Sequence, residues 1–313
     1  MRDDEVRTEA FRREIRRVAP GKVVLDIGTG ALALLAIFAA EAGAVRVFAI
    51  EGNPDSYAKA LQAVRDRGFA DRIHVVLGLS TNVTLPERVD VMVHEILGEI
   101  ASIEGAAYAI RDAQRRHLRA FPPPPHTRIS VPSSASSSIC PTEMPDAEYW
   151  ASREYPVIVA PGTVTMKLTH FPKRLLLSDT WQEMETLDFE APSGLPATQE
   201  RDRSFEMTRN GVFAGFVIRM QASMTPAAAE EIRTWCWDDE AERVSCQGHW
   251  AQQYIVFEPV QVSAGDVLHL RVHIDSSTFQ PTYRFVAGLQ RFTADKVARV
   301  PLGEVVLDSP NFG

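Results

Sequence analysis

Two acids, Glu95 and Glu104, stand nine positions apart in HEILGEIASIEG (94–105), separated by an apolar, glycine-containing stretch. Carboxylates that face one cleft repel each other unless a proton or a cation sits between them. A guanidinium is the natural cation, because its planar fork of donors matches carboxylates in paired hydrogen bonds. Such a pair could fix an arginine side chain, draw positive charge toward the nitrogens it grips and leave one nitrogen more nucleophilic. Glu99, between the two, is a further candidate, although it reads more readily as an exposed loop carboxylate. Taken alone, Glu95 and Glu104 could equally be solvated loop acids.

A second set lies upstream. Asp26-Ile27-Gly28-Thr29-Gly30 follows an apolar run, and Glu51 ends the next one, 21 residues after Gly30. Glycines at such a turn let the backbone approach a ligand closely. A carboxylate placed like Glu51 can accept from both hydroxyls of a ribose. Two cofactors fit. GTGALA with Glu51 matches a dinucleotide-binding pattern, so a nicotinamide (NAD)-dependent oxidoreductase is one reading. The other is S-adenosyl-L-methionine: Asp26 is well placed for a methionyl ammonium and poorly placed beside a pyrophosphate. The spacing alone leaves both open.

The elements that must position these groups alternate. Segments 22–28, 45–51, 72–78 and 89–95 are apolar runs of strand length, and 31–43, 56–67 and 105–119 read as helices. A series of this kind makes an α/β fold with a parallel sheet, whose ligands bind at the carboxyl ends of the strands, where Gly28, Glu51 and Glu95 all fall. FPPPP (121–125) cannot continue a helix or serve a central strand, which sets a boundary there. The expected division is 1–20, an N-terminal helix over the cofactor site; 21–121, the nucleotide-binding domain; and 122–313, an antiparallel domain. SVPSSASSSICP (130–141) reads as an exposed loop, and a short helix is expected near 226–233. Seven further strand-like segments between 163 and 308 predict an antiparallel barrel or sandwich.

The formal charge of −8 lacks the basic footprint of a nucleic-acid partner and suits a cationic one. No apolar run is long enough to cross a membrane, and the charged N-terminus is not a signal peptide, so a cytoplasmic protein is expected. Three scattered cysteines, Cys140, Cys236 and Cys246, fit free thiols. No spacing implies a metal site.

The sequence resembles the protein arginine methyltransferases over nearly its whole length. DDEVRTEAFRREI (3–15) is similar to the helix before their nucleotide-binding domain, VVLDIGTG and FAIE to their cofactor motifs, and LPERVDVMVHEILGE to the strand entering their double-Glu loop. GHWAQQYIVFEP (248–259) is similar to their Thr-His-Trp loop. DIGTG, FAIE, LSTNV and the EGA after Glu104 look closest to the type III, monomethylating branch.

The resemblance implies a Rossmann-like class I methyltransferase parallel sheet followed by an antiparallel β-barrel domain, with an arm-like insertion near 138–172 and homodimerisation as a candidate assembly. It implies that Arg7 binds the methionyl carboxylate, that Asp26, Gly28 and Gly30 hold the amino-acid part of S-adenosyl-L-methionine, that Glu51 takes the ribose and that Asn82 accepts from the adenine amine. Glu95 and Glu104 would grip the guanidinium, with Glu95 also beside the cofactor. His249 would pair with Asp4 to close the site, and Trp250 would shape the acceptor channel. Leu32, Asn82 and Gly248 depart from the family pattern, and the tyrosine-bearing helix that precedes the matched segment in the family has no counterpart in the sequence.

A composition rich in Ala, Arg and Pro and poor in Lys is that of high-GC bacterial chains. It makes free L-arginine, in small-molecule biosynthesis, an alternative acceptor to peptidyl arginine. A family-shaped, non-catalytic binding protein is the third class.

Overall fold

The computed structural model describes residues 4–121, 127–146, 149–150, 164–225, 231–233 (backbone only), 251–292 and 297–309. The first part of the chain alternates helix and strand: α1 (Glu5–Val18), β1 (Val23–Ile27), α2 (Leu34–Glu41), β2 (Arg46–Glu51), α3 (Pro54–Asp66), β3 (Ile73–Leu77), β4 (Val91–His94) and α4 (Ala106–Arg116). Each helix has a local cause. Asp4 caps α1 by accepting from the Arg7 amide at 3.0 Å, and α1 buries Ala10, Phe11 and Ile15 on one face. Asn53 caps α3 ahead of Pro54, whose fixed φ suits a first helical position. α2 begins three residues later than the apolar run, because Ala33 is left-handed (φ 45°) where the glycine turn feeds the helix.

The strands form a parallel sheet ordered β3-β2-β1-β4-β5. Its last strand, β5 (Ser130–Val131), pairs with β4 at Met92 and Val93. The parallel sheet thus takes a strand from beyond the proline run, past the expected boundary at 121/122. Two residues are too short to leave a hydrophobic pattern.

The rest of the chain is antiparallel. β6 (Ser134–Thr142), β7 (Thr165–Leu168), β8 (Gln182–Asp188), β10 (Gly211–Ser223), β11 (Glu231–Arg233) and β12 (Gln252–Val262) make one sheet. β9 (Thr198–Glu206), β13 (Val267–Asp275), β14 (Thr282–Phe292) and β15 (Val297–Asp308) make another. Phe213, Phe216 and Phe257 of the first meet Phe205 of the second in a shared core, along with Leu268, Leu270, Val272 and Ile274 of alternating β13. Among the described residues the hydrogen bonding of this expected antiparallel domain divides into two packed sheets, with no closed barrel among them.

Two local expectations are corrected. Segment 130–141 is β5 and most of β6, not an exposed loop: β6 is hydrogen-bonded to β10 on one side and β8 on the other. Residues 231–233 form a strand on β10, not a helix, and 226–230 lie outside the described residues. Of the expected arm, 138–142 belong to β6, 165–168 form β7, and 151–163 lie outside the described residues.

Candidate active site

The carboxyl edge of the parallel sheet opens into a cleft of about 970 Å³. Its walls are Gly28 after β1, Glu51 to Pro54 after β2, Gly78 to Ser80 after β3, and Ile96, Glu104 and Ala109 around the start of α4. Thr278, Phe279 and Gln280, in the β13–β14 connection, complete it.

The glycine turn is fixed by two acids. Glu51 accepts from the Gly30 amide at 2.7 Å and the Asn53 amide at 2.8 Å. Each carboxylate oxygen keeps lone-pair capacity for a ligand hydroxyl. Gly28 has φ +73°, and a β-carbon there would lie 2.6 Å from Ile96 Cγ2, so a side chain is excluded both by conformation and by space. Asp26 is fully buried. Its Oδ2 accepts from the Thr29 hydroxyl at 2.5 Å and the Ala36 amide at 3.0 Å, while Oδ1 is buried with no hydrogen-bond partner. Burial, partly offset by the Thr29 and Ala36 bonds, raises its carboxyl to about 7. An acid in that condition accommodates a cation, and a ligand ammonium is the kind of group that fits.

The double-Glu segment folds back over Gly98, where a β-carbon would come within 2.3 Å of Ile103 and 3.3 Å of Glu104 Cγ. Glu95 and Glu104 share one electrostatic environment. Burial raises Glu95 to about 7; Arg7 opposes the rise, and Glu104 adds to it. Burial likewise raises Glu104 to about 7, with Glu99 adding to the rise and Lys167 and Arg7 opposing it. Arg7, itself buried, stands between Asp4 (3.4 Å) and Glu95 (3.6 Å). Below Glu95, His94 bonds Ser130 at 3.2 Å and lies edge-on to Phe189. Burial lowers its pKa to about 3 and keeps it neutral.

Of the residues singled out in the sequence, Gly28, Glu51 and Glu104 line the cleft. Buried Asp4 and Arg7 and half-buried Glu95 form a connected group, joined electrostatically to Glu104. Gly30 and Asp26 build the turn. Asn82 is exposed in the turn after β3 and is not on the cleft wall, where Leu79 and Ser80 stand instead. His249 and Trp250 lie outside the described residues. Among those residues, no group of His, Cys, Asp and Glu is arranged to hold a metal, and no helix is long and apolar enough to cross a membrane. Cys140 is buried, with its thiol pushed up to about 12 by burial; Cys236 and Cys246 are not described.

Sequence reasoning missed several supports. Glu99 is only 8% exposed and pairs with Lys167 of β7 at 2.8 Å. The turn between Glu95 and Glu104 is held from the second part of the chain. Glu185 of β8 accepts from the Ser102 amide and the Ser137 hydroxyl, Ser137 accepts from the Ala101 amide, and Ser102 bonds the Tyr283 hydroxyl at 2.7 Å. Arg128 ties α1 to the same region, bonding Glu14 at 2.5 Å and Glu190 at 2.8 Å. These partners are 36 to 181 residues apart in the chain, so no local spacing signals them.

A family model for ribosomal protein L11 methyltransferase (PrmA) matches residues 12–109. Protein arginine N-methyltransferase PRMT10 of Oryza sativa subsp. japonica is 28% identical over 298 residues, covering 84% of this chain and 76% of that protein. A probable protein arginine N-methyltransferase 6 of Arabidopsis thaliana is 32% identical over 149 residues, covering 47% of this chain and 32% of its own. The solved structure of Arabidopsis thaliana protein arginine methyltransferase 10, described as uniquely open, superposes with a TM-score of 0.76 at 19% identity, covering 98% of this chain and 96% of the other. The Trypanosoma brucei PRMT1 enzyme-prozyme heterotetrameric complex with AdoHcy gives 0.71 at 18%, covering 99% and 96%. The names of these relatives are those of methyltransferases. With Glu104 on the cleft wall and Glu95 joined to it electrostatically, the chain is similar to the protein arginine methyltransferases in sequence and shares their fold.

Proposed function

We propose that this chain transfers a methyl group from S-adenosyl-L-methionine to a guanidino nitrogen of arginine. The observation that carries the reading is the pair Glu95 and Glu104, two carboxyls both raised to about 7 beside the glycine turn. Each is ready to take up a cation.

The cleft fits the cofactor. Asp26 offers an unpartnered buried oxygen for an ammonium, Glu51 retains acceptor capacity for ribose hydroxyls, and Gly28 leaves the backbone bare. Arg7 would take the carboxylate. When bound, S-adenosyl-L-methionine supplies an electrophilic methyl on a sulfonium.

The chain's own residues do the rest. Arginine arrives protonated, with a pKa of about 12.5–13.8. Glu95 and Glu104 neutralise it and fix the plane of its nitrogens. Arg7 at 3.6 Å from Glu95 holds that carboxylate in place. Orientation brings the attacking nitrogen to roughly 3–3.5 Å of its target, which converts an encounter into an aligned reaction. The nitrogen that gains a fourth bond becomes strongly acidic, so a carboxylate titrating near 7 is basic enough to receive its proton. A stronger base is not required. His249 paired with Asp4 would close the site, and Trp250 would shape the channel.

The finer reading is that the product is Nω-monomethylarginine, supported by the likeness of DIGTG and the EGA after Glu104 to the monomethylating branch. The acceptor is free L-arginine or a peptidyl arginine. A homodimer is the assembly that the resemblance implies, and light scattering checks it. The functional test presents methyl-labelled cofactor with free arginine or with an Arg-Gly-rich peptide. Label in either supports the reaction, and label in the peptide alone eliminates the small-molecule acceptor. Dimethylarginine as the main product rejects monomethylation. Cofactor binding without transfer to any acceptor would leave the non-catalytic reading.

A further inference from the structure

The cleft has walls from both parts of the chain. The parallel sheet supplies Gly28, Glu51 and the Gly78–Ser80 turn, and the β13–β14 connection supplies Thr278, Phe279 and Gln280. Phe279 is half-buried, and the way it is held is specific. A β-carbon on Gly105 would lie 2.6 Å from the Phe279 carbonyl oxygen and 3.0 Å from two of its ring carbons. Gly105 has φ +84° and begins α4 directly after Glu104. The ring is therefore laid on bare backbone at the start of the helix, a close approach that glycine alone permits.

The connection that carries the ring is anchored at several points. The Ser276 amide donates to Ala197 O at 2.8 Å, and Arg111 of α4 donates to Ser276 O at 2.8 Å. The Ser277 amide donates to Asp275 at 2.8 Å, and the Thr278 hydroxyl to Gln280 O at 2.9 Å. Arg111 thus ties the loop to the helix on which the ring rests. The aromatic side chain is positioned before any ligand arrives, so little ordering remains to oppose binding.

The neighbours on the wall identify what the ring meets. Leu79 lines the same cleft and is 44% exposed, an apolar side chain left uncovered beside the Gly78 turn. Ala109, one turn into α4, and Ser80 line it too. Apolar surface, one hydroxyl and an aromatic face suit a flat heteroaromatic base. A guanidinium belongs instead to the acid pair. We propose that Phe279 is a cofactor-binding residue, its ring forming the second-domain wall against which the adenine of the S-adenosyl cofactor stacks. The inference rests on the reading of the cleft as a S-adenosyl-L-methionine site. It adds that the antiparallel part of the chain, as well as the parallel sheet, binds the nucleoside.

The test is calorimetric titration of the full chain with S-adenosylhomocysteine. Phe279→Ala should weaken binding about tenfold, within the range known for removing one base-stacking aromatic. Phe279→Tyr, which keeps the face, should stay within about twofold. KM for the arginine acceptor at saturating cofactor should not move. Should Phe279→Ala fail to fold, Phe279→Leu keeps apolar bulk without the aromatic face, and the same loss is expected. Unchanged S-adenosylhomocysteine affinity in the folded Ala or Leu variant overturns the proposal. So does a rise in acceptor KM with cofactor affinity intact, which would assign the ring to the acceptor end. Wild-type protein that does not bind S-adenosylhomocysteine would overturn the cofactor reading itself, a different and separable failure.

Discussion

Replacing Glu104 with Gln removes one charge from the acceptor site while keeping the shape that packs over Gly98. The fold should survive, because Gln fills the same volume. The loss falls on guanidinium binding and on the transition state. Truncating one partner of a buried, hydrogen-bonded charge pair costs about 2–5 kcal/mol. Glu104 is partly open to the cleft, so the lower half of that range applies, or about 30- to several-hundred-fold in kcat/KM. A second effect has a definite sign. Glu104 is among the causes that raise Glu95. Without it Glu95 ionises more readily, and the acidic limb of the pH–rate profile, expected near 7 in the wild type, moves to lower pH. The assay is methyl transfer to arginine between about pH 5 and 9. Near-normal turnover, or a limb displaced to higher pH, would mean that these two acids do not act together on the acceptor.

Three further outcomes follow from the same geometry. Asp26, Glu95 and Glu104 are all raised to about 7, so the ligand-free native state holds protons that the unfolded chain has released. The stability they contribute is fully present below about pH 4 and is lost as pH rises through about 7. Urea melts should show Glu104→Gln gaining stability relative to wild type over that window, by at most about 3 kcal/mol; a constant difference would contradict the shift. Arg128→Met leaves Glu14 and Glu190 without their shared cation. It should cost about 3–5 kcal/mol in a denaturant melt and weaken S-adenosylhomocysteine binding through α1, which carries Arg7; an unchanged midpoint would show the clamp to be idle. Glu185→Ala strands the Ser102 amide and the Ser137 hydroxyl beneath the acceptor loop. It should lower kcat more than it raises the cofactor Kd, whereas equal effects on both would assign it to general stability.

The parts of the fold legible in the sequence are those where hydrophobicity and position coincide. β1, β2 and β4 are apolar runs because, apart from the exposed Arg46 that opens β2, they are buried along their length, and their carboxyl ends carry Gly28, Glu51 and Glu95. β6 was illegible for the opposite reason. It is a buried strand made largely of serines, and Ser137 is fully buried because Glu185 and the Ala101 amide satisfy its hydroxyl. Its pattern is in hydrogen bonds, which a hydropathy reading does not register. β9 hides similarly: its inward side carries Gln199, Arg201 and Arg203 before Phe205. Glu99 reads as a solvated acid until Lys167, 68 residues away, is brought to it by β7. Phe279 carries no local mark at all, and its place becomes visible only when the β13–β14 connection is laid on Gly105.

The most direct test of the acid pair's role is to locate the transferred methyl. Tandem mass spectrometry of the product formed from isotope-labelled S-adenosyl-L-methionine and arginine should find the label on a terminal guanidino nitrogen, and Glu95→Gln with Glu104→Gln should abolish it. Label on an α-amine or a lysine, or undiminished guanidino label in the doubly substituted protein, would contradict the account.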